Sequence, residues 1–342
     1  MWRDQQIVER ALDLSLATYS QNKYILYKYS NQEVGLQTFK NPDATLKQGC
    51  IWNYHKETMY IAFKATEMTS TEDWAVNLDI EMISHPNEAN WPSDVKFHKG
   101  FLDIATMCAK QLTRIIENNR PQKIILTGHS KGAAVSALVY LTLAAEKCDG
   151  KFPGIAFHNV TYALPMFANK ALKEFIAKTS TELDKEMFHF VVSEDIVPSM
   201  LLLGHVHKEL PMVVKKYLTA ATIKKYVPDD LKGVAIRALE IFDEGHFQFG
   251  VNACAPIGKY VYLEKDSLPR ELPNNAKEIG KELAKALEIL GQIGYSTFAS
   301  IATGIGESII DVIKKDHSLD NYNVAIRKSL FERKIRLVTP GK

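Results

Sequence analysis

The stretch KIILTGHSKGAAVSALVY, residues 123–140, constrains this chain more than any other. Apolar residues run to Thr127, then Gly128-His129-Ser130-Lys131-Gly132 intervenes, and a run of small, helix-compatible residues follows at once. A buried strand must therefore turn straight into a helix within a few residues. The residue at the tip of such a turn is strained, and a Cβ at either flanking position would collide with the neighbouring strand or helix. A serine held there stands exposed above the sheet edge. The helix that follows points its N-terminus at the reacting oxygen and favours negative charge there. The pattern Gly-x-Ser-x-Gly in a strand-to-helix context reads as a nucleophile elbow, with Ser130 as nucleophile. The glycine spacing of a dinucleotide-binding turn is absent after the strand.

The rest of the chain supplies the sheet that such a turn needs. Residues 4–20 read as an amphipathic helix, and 49–66 as two strands around the turn 55–58. Phe101, Ile104, Ala105, Cys108, Leu112, Ile115 and Ile116 share one face of a helix over 101–118. Strands are expected at 123–127, 155–163, 187–192 and 259–263, with a helix at 133–147. Strands alternating with helices predict an α/β protein with a mostly parallel sheet covered on both faces. No repeat, low-complexity tract or linker divides residues 1–342, which predicts a single domain. The segments 205–250 and 270–315 are expected as helical cap or flanking insertions. Residues 289–306 carry no charge, but Gln292 and four glycines favour a buried or lid helix over a membrane span.

A net charge of +2, with no basic tract, gives no reason to expect a nucleic-acid partner. Cys50, Cys108, Cys148 and Cys254 show no metal-ligand spacing and read as reduced thiols. The N-terminal stretch lacks the apolar core of a signal peptide. A cytoplasmic location, with peripheral membrane association, is the expectation. No metal and no organic cofactor are expected.

A nucleophilic serine needs a base and an orienting carboxylate, and on elbow folds these follow in the order Ser, acid, His. Asp195 follows the strand 187–192 in a loop closed by Pro198, with Glu194 as competitor. The histidines after it are His205, His207, His246 and His317. His317 lies near the chain end and before the last helix, where that order places the base, and His246 is the runner-up. His205 and His207 form a His-x-His pair without a third ligand at sensible spacing, so they read as loop histidines.

Taken together, these motifs resemble the class 3, fungal-lipase-like branch of the α/β-hydrolases. The segment MYIAFKATEMTSTEDWAVNL resembles the family's oxyanion segment, FHKGF its His-x-Gly-Phe element and LTGHSKGAA its elbow. TYALPMFANKAL resembles the strand written Thr-Phe-Gly-x-Pro-x-x-Gly-Asn, and SEDIVPSM the loop bearing the acid. ACAPIGKYVYL and DHSLDNYNVAI are most similar to the branch containing plant lipase-like immune proteins. The resemblance implies an α/β-hydrolase fold and a serine carboxylester hydrolase acting on a lipid ester, an acylglycerol or a phospholipid. Its nucleophile is Ser130, its acid Asp195 and its base His317. Thr66 and the Lys131 backbone N–H form its oxyanion hole. The alternative is a lipase-like binding or signalling scaffold that has lost turnover.

The departures sharpen the expectations. Lys64-Ala65-Thr66 stands where the family has Arg-Gly-Ser/Thr, so a positive φ at residue 65 would strain the oxyanion hole. Ala163 and Ala168 also replace family glycines. Within 79–96, Met82, Ile83 and Trp91 read either as the apolar tip of a lid that opens on a lipid surface or as parts of a loop packed back on the core.

Overall fold

Strand β6 (Lys123–His129) is buried in every residue after its first, as a strand covered on both faces must be. Its side chains alternate. Ile124 and Leu126 enter one apolar cluster, and Ile125 enters the other. In this computed structural model, which describes residues 4–19, 28–29, 33–42, 47–65, 81–86, 91–179, 186–195, 198, 254–264, 270–272 and 315–328, β6 is central to an eight-stranded sheet. The other strands are β1 (Glu33–Lys40), β2 (Lys47–His55), β3 (Thr58–Phe63), β7 (Ala156–Tyr162), β8 (Met187–Val192), β9 (Lys259–Leu263) and β10 (Arg270–Leu272). Their spatial order is β1-β2-β3-β6-β7-β8-β9-β10. The pairs from β3 through β9 are parallel, while β1–β2, β2–β3 and β9–β10 are antiparallel. A separate two-stranded ribbon joins β4 (Met82–Ile83) to β5 (Phe97–His98).

Helices cover both faces. Helix α2 (Lys99–Asn119), α3 (Lys131–Cys148) and α4 (Lys170–Thr179) enclose one apolar cluster with the sheet, and α1 (Gln5–Ala17) and α5 (Leu319–Ile326) enclose the other. Helix α3 is buried without interruption from Lys131 through Leu141, because it lies between the sheet and α2. Its Ser136 hydroxyl accepts from the Asn159 amide at 2.6 Å, and that amide also reaches the Leu126 carbonyl at 3.1 Å. Helix α1 starts where Asp4 caps the amides of Gln6 and Ile7.

The expected strands and helices are present within two residues at most of their ends. Three elements go beyond the expectations. Strand β1 was not anticipated from the sequence, and it pairs with β2 over eight residues. Gly35 is required there, since a Cβ would stand 2.1 Å from the Trp52 ring. Helix α4 buries only Leu172 and Ile176, one turn apart. Residues 270–272, expected as the start of a helical segment, form β10 instead, completing hydrogen bonds along β9. The remaining helical expectations, at 205–250 and 273–314, lie outside the described residues.

Two conformational features of the fold have measurable consequences. Arg120 ends α2 in the left-handed region, at φ 44° and ψ 54°, with its N–H on the Ile116 carbonyl at 2.8 Å. Glycine adopts that geometry without the Cβ penalty. Arg120→Gly is therefore expected to raise unfolding stability by about 1 kcal/mol in urea titration. His189 lies buried beneath Gly258, donates or accepts at Thr161 Oγ1 across 2.6 Å, and has its pKa lowered to about 3 by burial. The unfolded chain binds a proton on this ring below its ordinary value of about 6.5, and the native ring stays neutral down to about 3. Stability must then fall as pH drops through that window, by on the order of 1 kcal/mol per pH unit from this group. Urea midpoints at pH 7 and pH 5 measure it, and an unchanged midpoint would contradict the neutral burial of His189.

Candidate active site

The turn between β6 and α3 is as tight as backbone allows. A Cβ on Gly128 would lie 2.4 Å from the Gly132 carbonyl carbon and oxygen, and one on Gly132 would lie 2.3 Å from the Phe63 carbonyl oxygen. Both glycines are thus fixed by backbone, which cannot step aside as a side chain can. Between them Ser130 takes φ 53° and ψ −124°, a strained conformation for a residue with a Cβ. Its carbonyl starts α3 by accepting from Ala133 and Ala134. Its side chain makes no cap bond to the helix. The hydroxyl is left for another partner.

That partner is His317. Its Nε2 lies 2.7 Å from Ser130 Oγ, and its Nδ1 lies 2.8 Å from Asp195 Oδ2. The three residues are separated in sequence by 187 and 122 positions and are all buried. Asp195 sits just past the carboxyl end of β8, in a turn closed by its N–H on the Val192 carbonyl. A carboxylate at Nδ1 holds the proton on that nitrogen, so Nε2 presents its lone pair to the serine hydroxyl. Glu194, the competitor, is engaged by the Ser193 hydroxyl at 2.8 Å instead. His205, His207 and His246 lie outside the described residues.

Two further groups complete the surroundings of the triad, and neither was singled out from sequence. Tyr322, fully buried on α5, donates to the same Asp195 Oδ2 at 2.7 Å. Burial, then the Asp195 charge, pushes its phenol pKa well up, so it remains a donor. His129 lies against His317 with ring centroids 4.9 Å apart, and its Nδ1 is 2.7 Å from the Tyr19 hydroxyl. Burial, then the proximity of His317, pulls the His129 pKa well down, so it is neutral. The only sequence trace of Tyr322 is an aromatic residue five positions beyond His317, which reads equally as core.

The other expected site residues are placed as follows. Lys131 is the first residue of α3, buried, directly after Ser130. Thr66 lies outside the described residues. Its neighbour Ala65 is buried and is not among the residues with positive φ, so the replacement of glycine there carries no left-handed strain. Met82 and Ile83 are half-buried in the β4–β5 ribbon, and Ile83 packs on the core. Trp91 is not an exposed tip. It is 5% accessible and packs against Phe97 at 5.5 Å, Phe175 at 5.7 Å and His85 at 5.8 Å. Its indole is worth more to the core than to a lid, because those three rings close around it. Among the described residues no cluster of His, Cys, Asp or Glu is arranged to hold a metal ion.

Comparison with known proteins gives the same frame. The family described as Lipase (class 3) matches residues 60–204. Secreted mono- and diacylglycerol lipase A of Penicillium camembertii and of Penicillium cyclopium are each 34% identical over 101 residues. The match spans 29% of this chain and 29% of each of those relatives. Among solved structures, the triacylglyceride lipase of Rhizomucor miehei superposes with a TM-score of 0.50 at 16% identity, over 80% of this chain and 86% of that one. A lipase from Rhizopus microsporus var. chinensis also gives 0.50, at 15% identity, over 80% and 79%. These structures share the fold, a mostly parallel sheet with flanking helices. Residues 60–204 thus resemble the class 3 lipase family, and the chain shares the α/β-hydrolase fold of these solved lipases.

Proposed function

We propose that the protein is a serine carboxylester hydrolase that acts on a lipid ester through an acyl-enzyme. The observation that carries this is the unbroken relay from Ser130 Oγ through His317 to Asp195, at 2.7 and 2.8 Å. In the proposed reaction His317 Nε2 takes the Ser130 proton as Oγ attacks the ester carbonyl carbon. Asp195 steadies the resulting imidazolium. The tetrahedral oxyanion faces the N-terminus of α3, where the Lys131 N–H serves as a donor worth about 3 kcal/mol, and the family resemblance assigns the second donor to Thr66. His317 then gives the proton to the departing alkoxide and the acyl-enzyme forms. A water, deprotonated by the same imidazole, releases the acid and restores Ser130.

The lipid character of the ester is supported by the family and by the Penicillium relatives, whose names specify mono- and diacylglycerols. An acylglycerol is therefore preferred to a phospholipid, with contact at a lipid surface as part of the reading. No helix among the described residues is long and apolar enough to cross a membrane. A reducing, cytoplasmic location belongs to the same proposal, supported by four free cysteine thiols, one of them exposed.

Treatment with a fluorophosphonate probe, alongside short- and long-chain p-nitrophenyl esters, tests the reaction. The wild type is expected to label and turn over, and Ser130→Ala to do neither. Asp195→Asn is expected to lower kcat by about 10⁴, because the imidazole loses its fixed tautomer. A wild type that melts cooperatively yet neither labels nor hydrolyses any ester would identify a binding scaffold instead.

A further inference from the structure

His129 occupies the elbow itself, between the backbone-locked Gly128 and Ser130, whose N–H is held on the Tyr162 carbonyl at 3.1 Å. Its ring is enclosed. The His317 ring is inclined at 38° to it, and Tyr322 stands edge-on at 5.6 Å. Tyr19 approaches from the third side, in the turn that follows α1. The approach is anchored two residues before His129, where the Ser15 hydroxyl on α1 meets the Thr127 hydroxyl on β6 at 3.2 Å. It is anchored again at the Tyr162 hydroxyl, which donates to the Val8 carbonyl at 2.8 Å. The end of α1 is thereby delivered to the elbow in a fixed register.

We propose that Tyr19 and His129 form a positioning pair for His317: the Tyr19 hydroxyl donates to His129 Nδ1, fixes that ring as the neutral Nε2–H tautomer, and makes it the wall that holds the His317 imidazole in line with Ser130. The proposal rests on the triad reading above and adds two residues to it. Neither touches substrate or the reacting atoms.

Hydrogen-bond accounting decides the direction. A phenol has one proton and a neutral imidazole has one lone pair, and donation from Tyr19 Oη uses both. The reverse arrangement would leave the proton of the part-buried Tyr19 hydroxyl without an acceptor among the described residues. With Nδ1 so occupied, the His129 proton resides on Nε2, near the His317 main-chain carbonyl, which favours a proton on that ring. Nε2 makes no full hydrogen bond, so the contact to His317 is chiefly packing. Neutrality matters because His317 becomes a cation in each half-reaction. A second imidazolium 4.9 Å away would oppose that proton transfer. Burial, first among the causes acting on His129, keeps it from competing for the proton. Geometry matters because small misplacement of a catalytic base costs rate far more than binding.

The test uses the full chain and Tyr19→Phe, which keeps the ring and removes only the hydroxyl. Phosphonylation of Ser130 by a fluorophosphonate and kcat on a p-nitrophenyl ester are expected to fall about tenfold or more, with KM changed by less than about twofold. The low-field proton resonance of the His317–Asp195 hydrogen bond is expected to broaden. ¹⁵N spectra of the histidine rings are expected to show His129 as Nε2–H in the wild type and as a tautomer mixture in the variant. A folded Tyr19→Phe with wild-type rates and an unchanged low-field resonance overturns the proposal, as does a wild-type His129 protonated at Nδ1. Should Tyr19→Phe not fold, His129→Gln and His129→Leu decide. The amide keeps a donor and an acceptor and is expected to retain several-fold more activity than the leucine, whereas equal losses overturn the proposal. A wild type that does not label removes the triad reading and this inference with it. A labelled wild type matched by an equally fast Tyr19→Phe removes this inference alone.

Discussion

The approach of α3 to β3 is the contact on which the rest of the site depends. Gly132 passes the Phe63 carbonyl so closely that even a methyl group would have to displace backbone. Gly128 is locked against Gly132 in the same way. This closeness lets a strand become a helix across a single strained residue, and it throws the Ser130 hydroxyl clear of its own helix. An unstrained serine at a helix start normally spends its oxygen capping the first turn. Here the backbone conformation forbids that, and the freed oxygen is available to an imidazole.

Parallel pairing then does the gathering. β6 and β8 run in the same direction with β7 between them, so Ser130 and Asp195 both emerge at the carboxyl edge of the sheet. His317 has no strand to bring it there. It is carried by α5, whose Leu319, Tyr322 and Ile326 enter the apolar cluster shared with α1. The ionic contacts at that junction point the same way. Arg327 of α5 reaches Asp13 of α1 at 2.9 Å, and Lys28 reaches the same carboxylate at 2.6 Å. Asp13 is nearly inaccessible while its cations are half exposed, so the pairs satisfy a buried carboxylate more than they add net stability. Helix α1 thus secures the segment that bears His317.

Legibility in the sequence followed from how much each feature restricts residue type. The elbow was legible because two glycines locked by backbone leave a compositional trace. The meeting of Asp195 and His317 with Ser130 was legible from a strand end closed by Pro198 and from chain order. The parallel core strands were legible from their continuous apolar runs. Strand β1 was not, because its residues follow no regular apolar alternation and its pairing is set by the partner β2. Tyr322, Tyr19 and His129 were not, because a buried aromatic that bonds a polar neighbour has the same sequence signature as one that merely fills space. Trp91 was ambiguous for a related reason. A loop composition with Trp and Pro describes an apolar tip and a packed anchor equally well, and only Phe97 and Phe175 decide between them.

The alanines that replace family glycines can be weighed on the same physical scale. Ala65 lies outside the left-handed region, so its methyl costs nothing conformationally. Ala163 is different. It follows β7 at φ 52°, beside the Tyr162 carbonyl that accepts the Ser130 N–H at 3.1 Å. A left-handed alanine costs roughly 1–2 kcal/mol relative to glycine. Its fully buried methyl returns about 0.8 kcal/mol, and the reduced freedom of the unfolded chain returns roughly 0.5–1 kcal/mol more. The opposing contributions nearly cancel. The strand end beneath Ser130 therefore keeps the conformation that glycine would adopt, held there by the Ala163 N–H on the Phe190 carbonyl. The substitution leaves the geometry of the elbow intact and shifts the conformational cost from the unfolded chain to the folded one.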